Sequence, residues 1–451
     1  MAQGDGKEGG RVTGLETEYG CLSAPTAGGH RAVARVRDWI FENNRYGLID
    51  LHERGWEEPP GNGGFLFNGG RLYVDMGHLE YCTAECATAA DVVKLDRAGD
   101  RMIQEALRAL GLEESVQFIR NNVDHRSGAT FGCHENYSLL RRAPFTDQNV
   151  LSLLTFLTLR LLFTGSGRVG GALNEAGRPA TDIPFQISQR ADFIQNDFYE
   201  WVQHNRAIIN TRDEPLADPR LFRRLHLLHG DTNVLPSALY LKVGATRLVL
   251  DLLELDDLPA LELADAVATL RTLSRQPTAP WSVTLAGGRE ADPVELLSRF
   301  RLRAVRNFAG RDAETDAVLA LWSRAETGLA SDPSTLVGLV DWITKRHLLD
   351  QFRISESLEW TDPWLEAQDL EYHQIDPSRS LGLAMADLEG PWAEGLDQAA
   401  ALTDPPAGTR ATTRSRRMRE AAAAGRPYAI DWHCVREEGG PTTLMLDPLI
   451  R

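Results

Sequence analysis

The amino-acid sequence predicts an α+β fold, and three observations carry that reading. Segments that alternate apolar and polar residues fall mostly before residue 230, helical periodicity dominates from about 233 to 385, and the two do not alternate as a βαβ winding requires. The chain has 451 residues, 43% hydrophobic and 25% charged, which are ordinary globular proportions and exclude wholesale disorder, collagen and coiled coil. That length suits one large domain with an appendage, or two to three domains.

Residues 1–10 form a polar, Gly-rich tail. Residues 12–20 (VTGLETEYG) read as a strand, and 31–43 as a helix with Val33, Val36, Ile40 and Phe41 on one side. DLHERGWEEPPGNGG (50–64), rich in Pro, Gly and charge, is a loop; RLYVD (71–75) is a short strand. Residues 88–110 carry the stripe Val92, Leu95, Met102, Ile103 and Leu107 and predict a helix stopped at Gly111. Strands are expected at 116–121 and 135–140, a buried helix at 149–163, and further strands at 185–188, 207–211 and 223–230. DPPAGTRATTR, near 404, reads as a linker, followed by a helix at 414–424 and two strands, PYAIDWHCV and TTLMLD.

The net charge, 48 − 64 = −16, argues against a uniformly basic nucleic-acid or membrane-surface binder, because phosphate-dominated affinity needs positive charge. The longest apolar stretch, 150–163, is too short to span a bilayer and contains Arg160. MAQGDGKEGG lacks the apolar core of a signal peptide, and five scattered cysteines do not make a disulfide framework, so a reduced cytoplasmic compartment is expected. Lysine is scarce: Lys7, Lys94, Lys242 and Lys345 stand against 44 arginines. Arg-favouring codons account for that, and a shortage of reactive amines matters only for an enzyme that handles activated acyl groups.

The acidic residues inside the strands carry most of the chemistry. In LETEYG, Glu16 and Glu18 share one strand face; in RLYVD, Arg71, Tyr73 and Asp75 do, with Glu80 and Glu85 soon after. Crowded carboxylates raise one another's pKa unless a cation neutralises them, and Mg²⁺ takes such oxygen ligands together with nucleotide phosphates. A solvated strand face explains the same alternation without a metal. GCHENY puts His134 and Asn136 on one face and Glu135 and Tyr137 on the other, and a later strand puts Arg224 beside His226, with Arg212 at the end of the strand before it. Arginine forks suit phosphate. No Walker A sequence is present, and GSGRVGG (165–171) reads equally as a connector.

These segments together resemble the Pup ligase/Pup deamidase family, relatives of glutamine synthetase and other carboxylate–amine ligases; Pup is the prokaryotic ubiquitin-like protein. The resemblance rests on GLETEYG, NGGRLYVD, HLEYCTAEC, RNNVDHRSGATFGCHENY, FQISQRAD, IINTRDEPLAD, RRLHLLHGDTN, YLKVGATRLVLDLLE, DWITKRHLLDQF, DPPAGTRA and IDWHC, in family order from about residue 11 to 434. It implies a curved antiparallel sheet forming a cradle in a catalytic domain over 11–385, closed over the nucleotide by a small domain over 386–451. It implies Glu16, Tyr73 and Glu80 on Mg²⁺, Arg71 and Thr83 on ATP, Asp75 as the catalytic residue and Trp432 at the nucleotide. His226 (metal) and Arg224 (phosphate) follow by analogy with their strand, and Glu18 by its place beside Glu16. The implied activity is ATP-dependent joining of the C-terminal Glu side chain of a Pup-like, acidic partner to lysines of target proteins, without nucleic acid or membrane. The alternative is a deamidase/depupylase that hydrolyses a C-terminal Gln or an isopeptide. The short interval between Cys21 and Gly70, DWITKR and IDWHC favour the ligase; the Asp75-to-Glu80 spacing in DMGHLEY and GSGRVGG favour the deamidase. Leu79 replaces the proline usual in both branches.

Overall fold

The computed structural model describes residues 10–24, 28–52, 58–124, 128–170, 183–200 and 206–449. Its centre is a large sheet whose strands are β1 (Thr13–Ser23), β2 (Gly47–Ile49), β3 (Gly63–Leu66), β4 (Arg71–Asp75), β5 (His78–Cys82), β6 (Val116–Ile119), β7 (Cys133–Leu140), β8 (Asn196–Tyr199), β9 (Ala207–Asn210) and β10 (Phe222–Leu227). Their order is β8-β9-β10-β7-β1-β5-β4-β3-β2, with β6 on the far half of β1. Every pairing is antiparallel except β8–β9, which is parallel, so the expected antiparallel sheet is mixed at one edge.

One face of this sheet is apolar and covered by helices. Leu15, Tyr19, Leu72, Leu79, Tyr81, Tyr137, Leu139, Leu225 and Leu227 are buried on it. They pack against α1 (Gly29–Phe41), α2 (Ala89–Ala109), α3 (Asp147–Leu159), α4 (Leu161–Thr164) and α5 (Pro236–Glu254), with later helices behind. The polar groups that point into this layer are satisfied. Thr17 donates to Asp96 (3.1 Å), Tyr19 to Asp100 (2.8 Å), and Arg120 to Asp100 (2.7 Å). α2 starts where Thr88 accepts from the Asp91 amide at 3.0 Å, a cap worth about 1 kcal/mol.

The expected 149–163 helix breaks at Arg160, whose guanidinium turns inward to Glu135 at 2.9 and 2.5 Å. Pairing this buried charge outweighs continuing a straight helix. The 185–188 strand shrinks to Phe185–Gln186, paired with Arg168–Val169. In GSGRVGG, Ser166 and Arg168 are buried and the Ser166 amide donates to Asp231 at 2.8 Å, so the described part of this segment is core; Gly171 lies outside the described residues, as do tail residues 1–9 and loop residues 53–57.

At the C-terminal end two sequence readings are corrected. The linker reading of DPPAGTRATTR fails from Arg410 onward, where helix Arg410–Ala424 begins. PYAIDWHCV is two strands, Tyr428–Asp431 and Cys434–Glu437, folded into a hairpin with Trp432 and His433 at its turn, and Thr443–Leu444 adds a third. This unit packs Met418, Ile430, Val435 and Met445 against Leu48, Phe65 and Phe67. Phe65 lies opposite Arg71 in the β3–β4 register, so the unit covers one end of the polar face. Pro391–Ala393 and Ala400–Thr403 lie instead against α2.

Candidate active site

Antiparallel register puts directly opposed residues on the same side of a sheet, and here it gathers the acidic residues of separate strands. Glu16 lies opposite Cys82 and His134, Glu18 opposite Glu80, Glu80 opposite Tyr73, and His226 opposite Asn136. Two groups of candidate ligands result, Glu16–His134–His226 and Glu18–Asp75–Glu80, each with its ligand atoms within 4.8 Å of one another.

In the first group, His134 Nδ1 lies 3.1 Å from Glu16 Oε2, and Glu16 Oε1 accepts from Asn136 (2.8 Å) and Arg224 (3.2 Å). Burial pushes the Glu16 carboxyl up, but the imidazoles of His134 and His226 and the Arg224 charge hold it well below the usual range. Burial, then Arg224, pushes His226 down to about 4, leaving a neutral imidazole beside an ionised carboxylate. His226 Nε2 is buried, has no hydrogen-bond partner among the described residues, and lies 3.8 Å from Glu16.

The second group is all oxygen. Tyr73 donates to Glu80 Oε1 at 2.5 Å, and the Gly132 amide donates to Glu18 Oε2 at 2.7 Å. Burial pushes Glu80 well above the carboxylate range, and Glu18, Glu16 and Asp75 push it further. A buried carboxyl facing three others, next to an orphaned imidazole nitrogen, suits a divalent cation with hard ligands, so Mg²⁺ fits this donor set. Asp75 is the last residue of β4, followed by a two-residue turn in which Met76 (φ 44°) and Gly77 (φ 92°) both take the left-handed conformation a type I′ hairpin needs.

Beside these groups a cavity of about 220 Å³ opens, lined by Glu16, Arg71, Tyr73, Thr83, Arg224 and Trp432 among others. Asp75, Glu80 and His226 belong to the two groups at its side. Arg71 is held by Glu58 at 2.9 and 3.3 Å and lies 4.3 Å over the Tyr73 ring. Thr83 accepts from the Leu15 amide at 3.0 Å. Trp432 stands edge-on to Phe65 at 5.2 Å, with the Arg414 guanidinium 5.0 Å from its ring. Arg212 stays at the rim, 2.8 Å from Glu214.

Glu85 does not join the acidic face. Arg410 (2.5 Å) and Arg414 (2.6 and 3.0 Å) take its carboxylate. The sequence put His134 and Asn136 on the correct face without giving them a role. Only the β1–β7 register shows that His134 completes the Glu16 group.

Gly132 permits the two groups to approach. A β-carbon there would lie 2.5 Å from Glu18 Oε1 and 2.6 Å from His134 Nε2. Gly132→Ala is expected to destabilise the fold by about 1–3 kcal/mol; unchanged stability in urea unfolding would show that Glu18 and His134 do not crowd this position.

The model of the Pup-ligase protein family matches residues 11–436. This chain belongs to the Pup-ligase family. Among curated relatives, a Pup–protein ligase of Acidimicrobium ferrooxidans is 35% identical over 455 residues, covering 97% of this chain and 95% of the relative. A depupylase of Acidothermus cellulolyticus is 36% identical over 449 residues, covering 90% and 87%. Among solved structures, the ligase PafA in complex with Pup superposes with a TM-score of 0.82 at 32% identity, covering 97% of this chain and 89% of that one. PafA in complex with ADP gives 0.76 at 33% identity, covering 87% and 88%. The family's two named activities are thus equally near in identity, and the fold is that of the ligase structures.

Proposed function

We propose that this protein is an ATP- and Mg²⁺-dependent Pup–protein ligase that joins the side-chain carboxylate of a Pup-like protein's C-terminal Glu to lysine amines of target proteins. The observation that carries this reading is the cavity walled by Arg71, Arg224 and Trp432 directly beside two acidic groups, one of which contains Asp75. Family membership and the relative solved with ADP support the nucleotide assignment.

In this reading Glu16, Tyr73, Glu80 and His226, with His134 and Glu18 beside them, would hold Mg²⁺, and Tyr73 also donates to Glu80. Held there, Mg²⁺ would supply positive charge to neutralise the transferring phosphoryl group. Arg224 and Arg71 orient the triphosphate, and Thr83 and Trp432 border the nucleotide. The terminal glutamyl carboxylate takes the γ-phosphoryl of ATP, ADP is released, and a lysine amine displaces phosphate from the acyl phosphate to give an isopeptide. The amine must lose a proton on attack, and Asp75 accepts it. Residues 11–385 carry this chemistry, and of 386–451 it is the part from Arg410 onward, packed beside Phe65, that closes over the nucleotide. Among the described residues no helix is long and apolar enough to cross a membrane, and all five cysteines are unpaired. A reducing cytoplasm, and service to proteasomal degradation, complete the proposal.

One feature favours the amidase: the two-residue turn after Asp75 sets the Asp75-to-Glu80 spacing that the family resemblance implies for the deamidase branch. Incubation with ATP, Mg²⁺ and Pup ending in Glu or in Gln separates the two. Conjugates with ADP release mark the ligase, ammonia from the Gln form marks the amidase, and neither product refutes both. Trp432→Ala is expected to weaken nucleotide binding about tenfold, the scale of one aromatic contact. An unchanged nucleotide Kd would remove the C-terminal unit from the nucleotide site.

A further inference from the structure

The acyl phosphate of the proposed reaction is open to any amine that reaches it, the enzyme's own included. The fold disposes of the chain's lysines one by one. Lys242, in α5, is wholly buried: its Nζ donates to the Asp231 carbonyl at 2.7 Å and lies 3.6 Å from Cys133 Sγ. Lys345, in DWITKR, is wholly buried too, and its Nζ donates to Asp369 Oδ1 and to the Gly167 carbonyl, both at 2.6 Å. Among the described residues Lys94 is the only lysine that solvent reaches, with 29% of its side chain exposed. Lys7 lies outside the described residues.

Lys94 is also on the wrong side of the sheet to meet its own active site. It belongs to α2, which covers the apolar face, whereas the Glu18–Asp75–Glu80 group and the cavity beside it occupy the polar face. Its Nζ pairs with Asp91 at 2.8 Å, and a β-carbon on Gly395 would lie 3.3 Å from its Cδ, so its stem is laid against the segment that packs on α2. The sheet therefore stands between this amine and an acyl phosphate formed in the same molecule. The cations of the surface are arginines instead: Arg212, Arg220, Arg306 and Arg416 each expose more than half of the side chain. In the proposed step the amine nitrogen forms a C–N bond to the glutamyl carbonyl, the C–O bond to phosphate breaks, phosphate leaves, and the nitrogen gives up its proton to the base. A guanidinium stays protonated and has no lone pair with which to begin that step.

We infer that the folded part of this chain is shielded from the conjugation it carries out, that Lys94 is its single acceptor site, and that only a second enzyme molecule can modify it. This regulation rests on the ligase reading of the site. It makes self-modification a reaction between molecules, and so one that rises with enzyme concentration.

Two measurements on the full chain carrying Lys7→Arg test this. The first needs no turnover: native protein is treated with the N-hydroxysuccinimide ester of acetic acid and mapped by mass spectrometry. Lys94 is expected to acetylate, and Lys242 and Lys345 to react about a hundredfold more slowly or less, because they wait for the fold to open. Labelling of either at the rate of Lys94 overturns the shielding. In the second, the enzyme is incubated with ATP, Mg²⁺ and Pup ending in Glu, with a lysine-bearing target protein in the same tube. Self-conjugation of the lysines is expected at Lys94 alone, with the fraction modified per unit time rising in proportion to enzyme concentration, and Lys94→Arg is expected to remove it. Arg212→Lys and Arg220→Lys place amines on the loop that lines the cavity through Glu214 and Leu216. At least one of them is expected to gain self-conjugation whose fraction does not depend on enzyme concentration, the mark of an intramolecular step. Conjugation at Lys242 or Lys345, a concentration-independent rate at Lys94, or no gain from either added lysine while the target protein is modified, overturns the inference. A target protein left unmodified refutes the ligase reading instead, and the acetylation map still decides which amines are shielded.

Discussion

Asp75→Asn is expected to lower conjugation by about two to four orders of magnitude, the contribution of a positioned general base, with nucleotide affinity nearly unchanged. The substitution keeps the shape of the side chain at the end of β4 and removes only its charge and basicity. The turn that fixes Asp75 is made by Met76 and Gly77, which the substitution does not touch. The cavity proposed for the nucleotide is lined by Arg71, Thr83 and Trp432 and not by Asp75, so the proposal separates ATP binding from chemistry. The loss is expected in kcat, with the KM for ATP held. Single-turnover assays with saturating ATP, together with nucleotide binding measured directly, check this. Undiminished conjugation, or an equal collapse of ATP binding, would falsify the assignment of Asp75 as the base.

Glu85→Gln is expected to be strongly destabilising, costing about 3–5 kcal/mol. Glu85 is buried, and its two carboxylate oxygens receive Arg410 and Arg414, which are buried as well. Arg414 also donates to the Gly69 carbonyl, and Arg410 to the carbonyls of Leu216 and Met445. One carboxylate thus joins the strand exit after β5 to the C-terminal helix. Removing its charge leaves two guanidiniums buried without a counter-ion, the costly way to break a buried pair. The pH dependence has a definite sign. Burial raises this carboxyl, but Arg414 and then Arg410 outweigh it and hold it at about 2, against 4.5 when exposed. A depressed carboxyl stabilises the fold fully above its unfolded value and loses that contribution as pH falls through its folded value. About 3 kcal/mol should therefore disappear between roughly pH 4.5 and 2 in wild type and be missing from the variant. Urea unfolding across that range, with hydrogen exchange over Arg410–Ala424, measures both effects. Equal stability of the two proteins at pH 7 would show that this ion cluster does not secure the C-terminal unit.

How much of this was legible depended on whether the information was local. Alternation in LETEYG and RLYVD fixes which side chains share a face, and β1 and β4 present Glu16, Glu18, Tyr73 and Asp75 as that alternation requires. The stripe of 88–110 gave α2 almost to the residue, because an amphipathic helix with a capping Thr88 is specified within its own length. The misreadings share one cause. Arg160 interrupts a helix for Glu135, and Arg410 turns a linker-like run into a helix for Glu85; each partner lies far away in the chain. PYAIDWHCV folds back on itself at Trp432 and His433, and the turn sets the Trp432 ring against Phe65 and Arg414, which its own alternation does not reveal.

By itself the sequence determined the α+β class, the faces of the early strands, the family resemblance and the residue types of the site. Only the tertiary structure decided that His134 joins Glu16 and His226, that Glu18 joins Asp75 and Glu80, and that Glu85 leaves the acidic face for the C-terminal arginines. The physical reason is that strand alternation is set by backbone geometry within a few residues. Which strands pair, in which register, is set by the burial of distant apolar faces against shared helices, and ion pairs follow only once those faces have met.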